Sequence, residues 1–540
     1  MVKKTDIAKK ILLLSVILLL IPLVSFSMRL ESIILPKPVS VKKMTGEYKI
    51  PENILIFAPN NIMEANYFID ELKDVCKLSA EITYNQSKVN LRLSVSDKIV
   101  DKKEGYKLTI SSKGINIVGH DDAGVFYGLQ SLLQLLYAAN DTNVLQMQEI
   151  DDAPAFSWRA YMIDEGRYFK GEKEVYQILD EMAALKLNIL HWHLTEDAGW
   201  RIEIKKYPKL TEVGSKRKDT QAEGWPYIKM MGQPHSGYYT QEDVKRILRY
   251  AKQRHIKVIP EIEMPGHASA AIASYPWLGS KDEQIEVPLM FGKHYPTFNV
   301  ADEKVLQFLK DVIDEVFDLF ETDVIHIGGD EVRFNHWEEN DEINALKKEK
   351  GFTSYMDVQI DFSNKMSRYI QDKGARMMGW NEILGKSLHE NDNIFFADPS
   401  QKIAENVIVH YWKGDPKEIV NAVKNGYDIV NSQHEYTYVN YSYEFLPLEK
   451  AYNFRPLSPD IPEEYKHKVI GIGCQMWGEW APEPEIVQRQ TYPRIAAYAE
   501  VGWTNYDQKD YNSFLNRLKY FTDRWTRKGI NFKPLDELEL

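Results

Sequence analysis

Cysteine is nearly absent from this 540-residue chain: Cys76 and Cys474 are the two it has. A disulfide framework and a cysteine-based zinc site are therefore excluded. Basic charge is in deficit too, with 67 Lys+Arg against 79 Asp+Glu and a net charge of -12. With no basic block beyond its first residues, the chain matches phosphate backbones poorly, and no nucleic-acid partner is expected. The sequence holds no internal repeat, no low-complexity tract and no glycine-rich dinucleotide fingerprint. Aromatics are what it has in quantity, with 12 Trp and 31 Tyr in a composition that is 44% hydrophobic. Such a chain buries a large core, which excludes disorder, a collagen-like structure and a polytopic membrane protein. Flat apolar faces with polar edges also suit sugar rings.

Lys3, Lys4, Lys9 and Lys10 precede an apolar run at 11–24, and Ser25-Phe26-Ser27 offers small residues for cleavage. Residues 1–27 thus read as a secretory signal peptide. The run is short of the ~20 residues a spanning helix needs, so no stable membrane span is expected in the mature chain. No cysteine follows it, which argues against a lipid anchor. An exported protein is expected, periplasmic or extracellular in a bacterial host.

Residues 28–152 alternate short β-rich runs (54–57, 89–95, 106–111, 114–119) with helical patterns. The clearest helix covers 123–138, where Val125, Leu129, Leu132, Leu133 and Leu136 share a face. This is a compact α+β accessory domain, bounded by Asp151-Asp152-Ala153-Pro154. From 153 to 540 the pattern is a β-run, a polar loop, an amphipathic helix, and again. The runs are 160–164, 188–194, 256–261, 324–327, 376–379, 407–411, 427–431 and 469–474. The expected fold class is α/β: a (β/α)8 TIM barrel with a helical C-terminal end, preceded by the smaller α+β domain.

A barrel carries its active site at the carboxyl ends of its strands. Here strand one runs into Arg167, strand two into Glu196-Asp197, and strand three into Met264-Pro265-Gly266-His267. Strand four leads to Asp330-Glu331, five to Trp380-Asn381-Glu382, six to Trp412, seven to Tyr438-Val439-Asn440, and eight to Trp477-Gly478-Glu479. Solvated loop ends would explain the acids but not the succession of Trp, Tyr and His. Glycosidic bonds are broken by carboxyl groups, one of which protonates the leaving oxygen. A retaining enzyme ordinarily sets two carboxyls ~5–5.5 Å apart across the sugar. Adjacent Asp330 and Glu331 share one strand end, where side chains alternate, so only one of them can aim at the glycosidic oxygen. That placement suits a substrate that brings its own nucleophile. Gly328-Gly329 just before the pair allows close approach.

The run His326-Ile327-Gly328-Gly329-Asp330-Glu331-Val332 resembles the catalytic signature of the family 20 glycoside hydrolases, the β-N-acetylhexosaminidases. Arg167, the 191–200 segment, Met264-Pro265-Gly266-His267, Gly379-Trp380-Asn381-Glu382 and Trp477-Gly478-Glu479 resemble further motifs of that family, in its order. The resemblance covers the chain from about residue 33. It implies an exo-acting enzyme that releases terminal N-acetylglucosamine or N-acetylgalactosamine with retention, by the substrate-assisted route for which this family is known. No metal and no cofactor is implied. By the same resemblance, Glu331 is the general acid/base, Asp330 orients the 2-acetamido group and Tyr438 hydrogen-bonds its carbonyl. Trp380, Trp412 and Trp477 wall the sugar, Arg167 holds its far hydroxyls with Glu479, and His267 and Glu196-Asp197 support. Two positions depart from the common pattern. Glu196-Asp197 stands where many relatives have Asp-Asp, and Asn440 stands where many carry Asp, which bears on gluco- against galacto-configured sugars.

Two competing functions follow from other features. His191 and His193, two apart on a strand, point the same way and could share a zinc ion in a metal-dependent barrel hydrolase. A carbohydrate-binding protein without catalysis would need the aromatic walls but not Glu331.

Overall fold

The computed structural model describes residues 32–538 except 77, 225, 293 and 389–394; the expected signal peptide lies outside them. The N-terminal part is a seven-stranded mixed sheet. Its strands stand side by side in the order Ser40–Lys49, Val144–Asp152, Tyr106–Ser111, Gly114–Gly119, Leu91–Val95, Asn53–Phe57 and Ser79–Ile82. Three of them had no clear alternation in sequence. Ser40–Lys49 is an edge strand with no fully buried residue, so neither face needed to be apolar.

The helix Asp122–Ala138 starts where Asp121 caps the Gly124 amide. Every residue from Gly124 to Leu136 is buried, because the helix lies between its own sheet and the barrel. Gly128 allows this approach, since a Cβ there would lie 2.6 Å from the Ile117 side chain. On the other side Tyr127 meets Trp503 edge-on at 5.2 Å and Tyr137 meets Tyr520 at 5.2 Å.

The eight remaining principal strands close into a parallel barrel. They are Trp158–Asp164, Ile189–His193, Lys257–Glu261, Val324–His326, Arg376–Trp380, Ile408–Tyr411, Asp428–Asn431 and Val469–Met476, within three residues of the expected runs at either end. The barrel interior is layered, as alternation on parallel strands requires. At the amino end lies an apolar plug of Trp158, Ala160, Ile189, Ile259, Val324, Met378, Ile408 and Val430. Above it come the buried polar side chains His191, Glu261, His326 and His410. Met162, Trp380, Tyr438 and Trp477 form an aromatic layer at the carboxyl mouth.

The junction at Asp152 is not a solvated linker. Asp152 Oδ2 lies 3.1 Å from Lys186 Nζ, with both side chains fully buried. The same carboxylate accepts from the Tyr106 hydroxyl at 2.7 Å and the Trp503 indole at 2.9 Å. C-terminal helices add a second clamp: Arg524 pairs with Glu181 of the barrel at 2.9 Å and with Glu71 of the N-terminal part at 2.6 Å. Among the described residues, no helix is long and apolar enough to cross a membrane.

Candidate active site

Arg167 enters the barrel mouth just past the first strand and is held there by acids from three elements. Its guanidinium lies 2.9 Å from Asp164, 3.0 Å from Glu196 and 3.4 Å from Glu479, with its face 5.0 Å from the Trp477 ring. Burial alone would raise the Asp164 carboxyl, but Arg167 and His193 beside it bring it down to about 2. Burial dominates at Glu479 and lifts it to about 7, against the pull of Arg167. The fork is thus presented rigidly, which a side chain must be if it is to grip planar or vicinal oxygens.

The fourth strand ends at His326. The chain then turns through Gly328 at φ 67°, Gly329 at φ 84° and Glu331 at φ 51°. A Cβ on Gly328 would fall 1.8 Å from a Glu263 oxygen, so that position requires glycine. Asp330 and Glu331 therefore do not alternate along a strand as their sequence position implied. A left-handed turn aims them instead. His267, itself left-handed at φ 47°, faces the turn: its Nε2 is 3.9 Å from Asp330 and 3.7 Å from Glu331. Two non-glycine residues held at positive φ, against a cost of ~1–3 kcal/mol each, mark a place where geometry is specified.

His267 is in turn fixed by the pair after strand two. Its Nδ1 is 3.0 Å from both Glu196 and Asp197, and Asp197 also accepts from the Ser269 amide at 2.9 Å. Burial disfavours the imidazolium, yet Glu196 and Asp197 hold His267 well above the ordinary histidine range, so it stands as a cation. Burial raises Asp330 to about 7; the His267 charge opposes this while Glu331 and Glu261 add to it. Asp330 Oδ1 has no hydrogen-bond partner among the described residues although it is buried, an acceptor available to a ligand.

Trp380, Tyr438 and Trp477 form a continuous aromatic wall, with Trp477 5.8 Å from Trp380 and 5.7 Å from Tyr438. Trp412, half-buried, stacks parallel to Tyr438 at 6.2 Å. Asn440 is buried with neither amide atom hydrogen-bonded within the described residues. All twelve expected site residues thus lie at the barrel mouth, each joined to the others by the contacts above except Asn440, which is placed there by its burial beside Tyr438 and Val439.

Three further carboxyls at strand ends carry no role assigned from the sequence. Glu261 lies at the barrel center, 2.8 Å from His191 and 2.9 Å from His326. Glu263 sits 3.3 Å from His193, and burial together with the Asp330 and Glu261 charges raises it well above the carboxylate range. Glu382 is lifted to about 8 by burial and by Asp330 and Glu331, and accepts the Glu331 backbone amide at 3.2 Å. Their sequence signal was their place at strand ends and, for Glu382, the motif Gly379-Trp380-Asn381-Glu382 as well.

Nε2 of both His191 and His193 faces Glu261 Oε2, at 2.8 and 3.8 Å. Each belongs to its own cluster, His191 with Glu261 and His326, His193 with Glu261 and Glu263; Glu196, Asp197 and His267 form a third. The nitrogen–oxygen separations at their closest contacts are 2.8–3.3 Å. A tetrahedral ion at ~2.0–2.2 Å from each donor sets its donors ~3.3–3.6 Å apart, so the His191–Glu261 pair would have to spread while the His193–Glu263 pair would not.

Known proteins share this architecture. A beta-hexosaminidase of Porphyromonas gingivalis is 32% identical over 531 residues, covering 93% of this chain and 65% of that protein, so the chain spans somewhat less than two thirds of that relative. One from Vibrio furnissii is 29% identical over 87% of this chain and 76% of its own length. Among solved structures, an exo beta-N-acetylglucosaminidase from Vibrio harveyi, in complex with N-acetylglucosamine, superposes with a TM-score of 0.81 at 27% identity, covering 93% of this chain and 78% of the other. The family model for domain 2 of glycosyl hydrolase family 20 matches residues 31–153, and that for its catalytic domain matches 156–506. With 351 of its 540 residues inside the catalytic-domain model, the chain belongs to glycosyl hydrolase family 20.

Proposed function

We propose that the protein is an exo-acting, retaining β-N-acetylhexosaminidase that removes terminal N-acetylglucosamine or N-acetylgalactosamine from glycans or chito-oligosaccharides. Residues 153–540 form its catalytic unit and 28–152 its accessory domain. A signal at 1–27 exports it to the periplasm or the exterior. The observation that carries the proposal is the buried Asp330 carboxyl with an unpartnered oxygen, next to Glu331 in a left-handed turn and beside an aromatic wall.

In the first step the acetamido carbonyl oxygen of the substrate attacks the anomeric carbon. The glycosidic C–O bond breaks, and its electron pair takes the proton of Glu331. Positive charge spreads over the resulting oxazolinium ring. Asp330 accepts the acetamido N–H and stabilises that charge, and Tyr438 donates to the carbonyl oxygen and orients it. Trp380, Trp412 and Trp477 exclude water and hold the methyl group and the sugar face. In the second step Glu331, now a carboxylate, takes a proton from water as that water attacks the anomeric carbon and opens the ring. Two inversions give net retention. Arg167 and Glu479 grip the distal hydroxyls, with Asn440 offering its unpartnered amide to the sugar. Glu196, Asp197 and His267 keep the turn in place.

The test compares kcat for an aryl β-N-acetylglucosaminide and the β-glucoside with the same leaving group. Loss of the acetamido group removes the nucleophile and must depress kcat, not merely raise KM. Comparable kcat values, or a sugar trapped covalently on an enzyme carboxylate, would sink the proposal.

A further inference from the structure

Beneath the aromatic wall lies a hydrogen-bonded chain that the reaction above does not use. Trp380 donates its indole N–H to Glu261 Oε1 at 2.8 Å, and His326 Nδ1 lies 2.9 Å from the same oxygen. His191 Nε2 lies 2.8 Å from the other oxygen, Oε2. From His326 the chain continues through Nε2 to His410 Nδ1 at 3.2 Å, and His410 Nε2 meets Ser432 Oγ at 2.8 Å. The Gly328 amide also points at His326 Nδ1, at 3.0 Å. One ring nitrogen cannot donate to a carboxylate and accept from an amide, and the contact to the ionised acceptor is the stronger. The proton therefore sits on Nδ1, which makes Nε2 of His326 an acceptor and Nδ1 of His410 a donor.

This chain holds Trp380 in two ways at once. Glu261 fixes the edge of the indole, while the His410 ring stacks on its face at 4.1 Å and 18°. Glu261, His326 and His410 are fully or almost fully buried. Burial raises a carboxyl, yet the three imidazoles around Glu261 hold it well below the usual range, and burial keeps His410 neutral. The charged Oε1 thus accepts from Trp380 and faces His326, while His191 Nε2 lies 2.8 Å from Oε2. The indole cannot tilt without breaking a charge-assisted hydrogen bond and a ring stack together.

We infer that Glu261 is a positioning residue that sets the plane of Trp380 and thereby the width of the slot for the N-acyl group, so that this enzyme selects N-acetyl over bulkier N-acyl hexosamines. The inference rests on the proposed hexosaminidase chemistry, in which Trp380 walls the acetamido group. It assigns Glu261 no contact with substrate. Glutamine in its place removes the negative charge that strengthens the contacts to Oε1, so the indole is held less firmly.

The experiment measures kcat/KM for aryl β-glycosides of N-acetyl- and N-propionylglucosamine with wild type, Glu261→Gln, Trp380→Phe and the double variant. The ratio of the two substrates cancels the fraction of active enzyme, which a merely structural defect would change. In Glu261→Gln the acetyl preference should fall about three- to tenfold, the span expected where a charge-assisted hydrogen bond becomes a neutral one. In the Trp380→Phe background the same substitution should leave the ratio unchanged, since the ring no longer has the N–H through which it acts. Ser432→Ala, which loosens the far end of the chain, should shift the ratio in the same direction and serves if Glu261→Gln does not fold. An unchanged ratio in Glu261→Gln, or in Ser432→Ala if that variant has to serve, overturns the inference, as does an equal shift with and without Trp380. Failure of the wild type to cleave either substrate would instead strike the proposed function.

Discussion

The backbone amide of Glu331 donates to Glu382 Oε1 across 3.2 Å, so a carboxyl delivered by the fifth strand grips the turn that follows the fourth. Glu382 is pushed up to about 8 by burial and by the Asp330 and Glu331 charges, which keeps it neutral at pH 7. A neutral acceptor at this point steadies the turn without repelling the acids it serves. Glu382→Gln keeps both the acceptor and the neutrality and should retain activity within a few-fold. Glu382→Leu leaves the amide unpaired, a cost of ~1–3 kcal/mol, and should lower kcat about tenfold or more. Equal effects of the two variants would show that the hydrogen bond is immaterial.

Glu331→Gln removes the proton donor, and general acid assistance contributes ~10²–10⁴-fold. The loss should be greatest for alkyl and sugar leaving groups and small for dinitrophenol, which departs without protonation. A leaving-group series checks this, and a uniform loss across it would remove Glu331 from the acid role.

Asp330 must be ionised to stabilise the oxazolinium charge, and burial raises it to about 7. The kcat/KM profile, which reports the free enzyme, should therefore fall as pH drops below about 7. The nearby His267 cation, 3.9 Å away, favours the carboxylate. In His267→Gln that support is gone, the Asp330 pKa rises, and the acidic limb must move to higher pH. A limb that stays in place, or moves the other way, would show that the imidazolium does not act on Asp330.

At the junction of the two parts, Asp152→Ala leaves the buried Lys186 ammonium without its partner. Breaking a buried pair from one side costs ~3–5 kcal/mol. Lys186→Met removes the charge itself and leaves Asp152 with the Tyr106 and Trp503 donors and the Val39 amide at 3.1 Å. Urea midpoints should therefore fall further for Asp152→Ala than for Lys186→Met. The reverse order would mean that the carboxylate, not the ammonium, is the costly group to strand.

Much of this molecule was legible along the chain. The eight barrel strands are short apolar runs between polar turns and amphipathic helices, and their order alone implied closure and a site at their carboxyl ends. The family motifs point to Asp330, Glu331 and the aromatic wall from the sequence alone. These features are local: a run of β-branched residues, a glycine pair or a helical stripe acts on its neighbours within a few positions, and a linear reading captures that.

The tertiary structure decided what lies far apart in sequence. His326 and His410 are 84 positions apart, and Trp380 and Glu261 are 119; only barrel closure makes them one hydrogen-bonded chain. The turn at Gly328–Glu331 replaces the strand alternation that the dipeptide implied, and a Glu263 oxygen from the loop after the third strand occupies the space a Cβ on Gly328 would need. Asp151-Asp152-Ala153-Pro154 carries every local mark of a linker, yet Asp152 is buried against Lys186 and Trp503 from the barrel side. Burial and charge act through space, so the ionisation of Asp330, Glu382 and His267 follows from which groups the fold brings within a few ångströms, and no pattern along the chain encodes that distance.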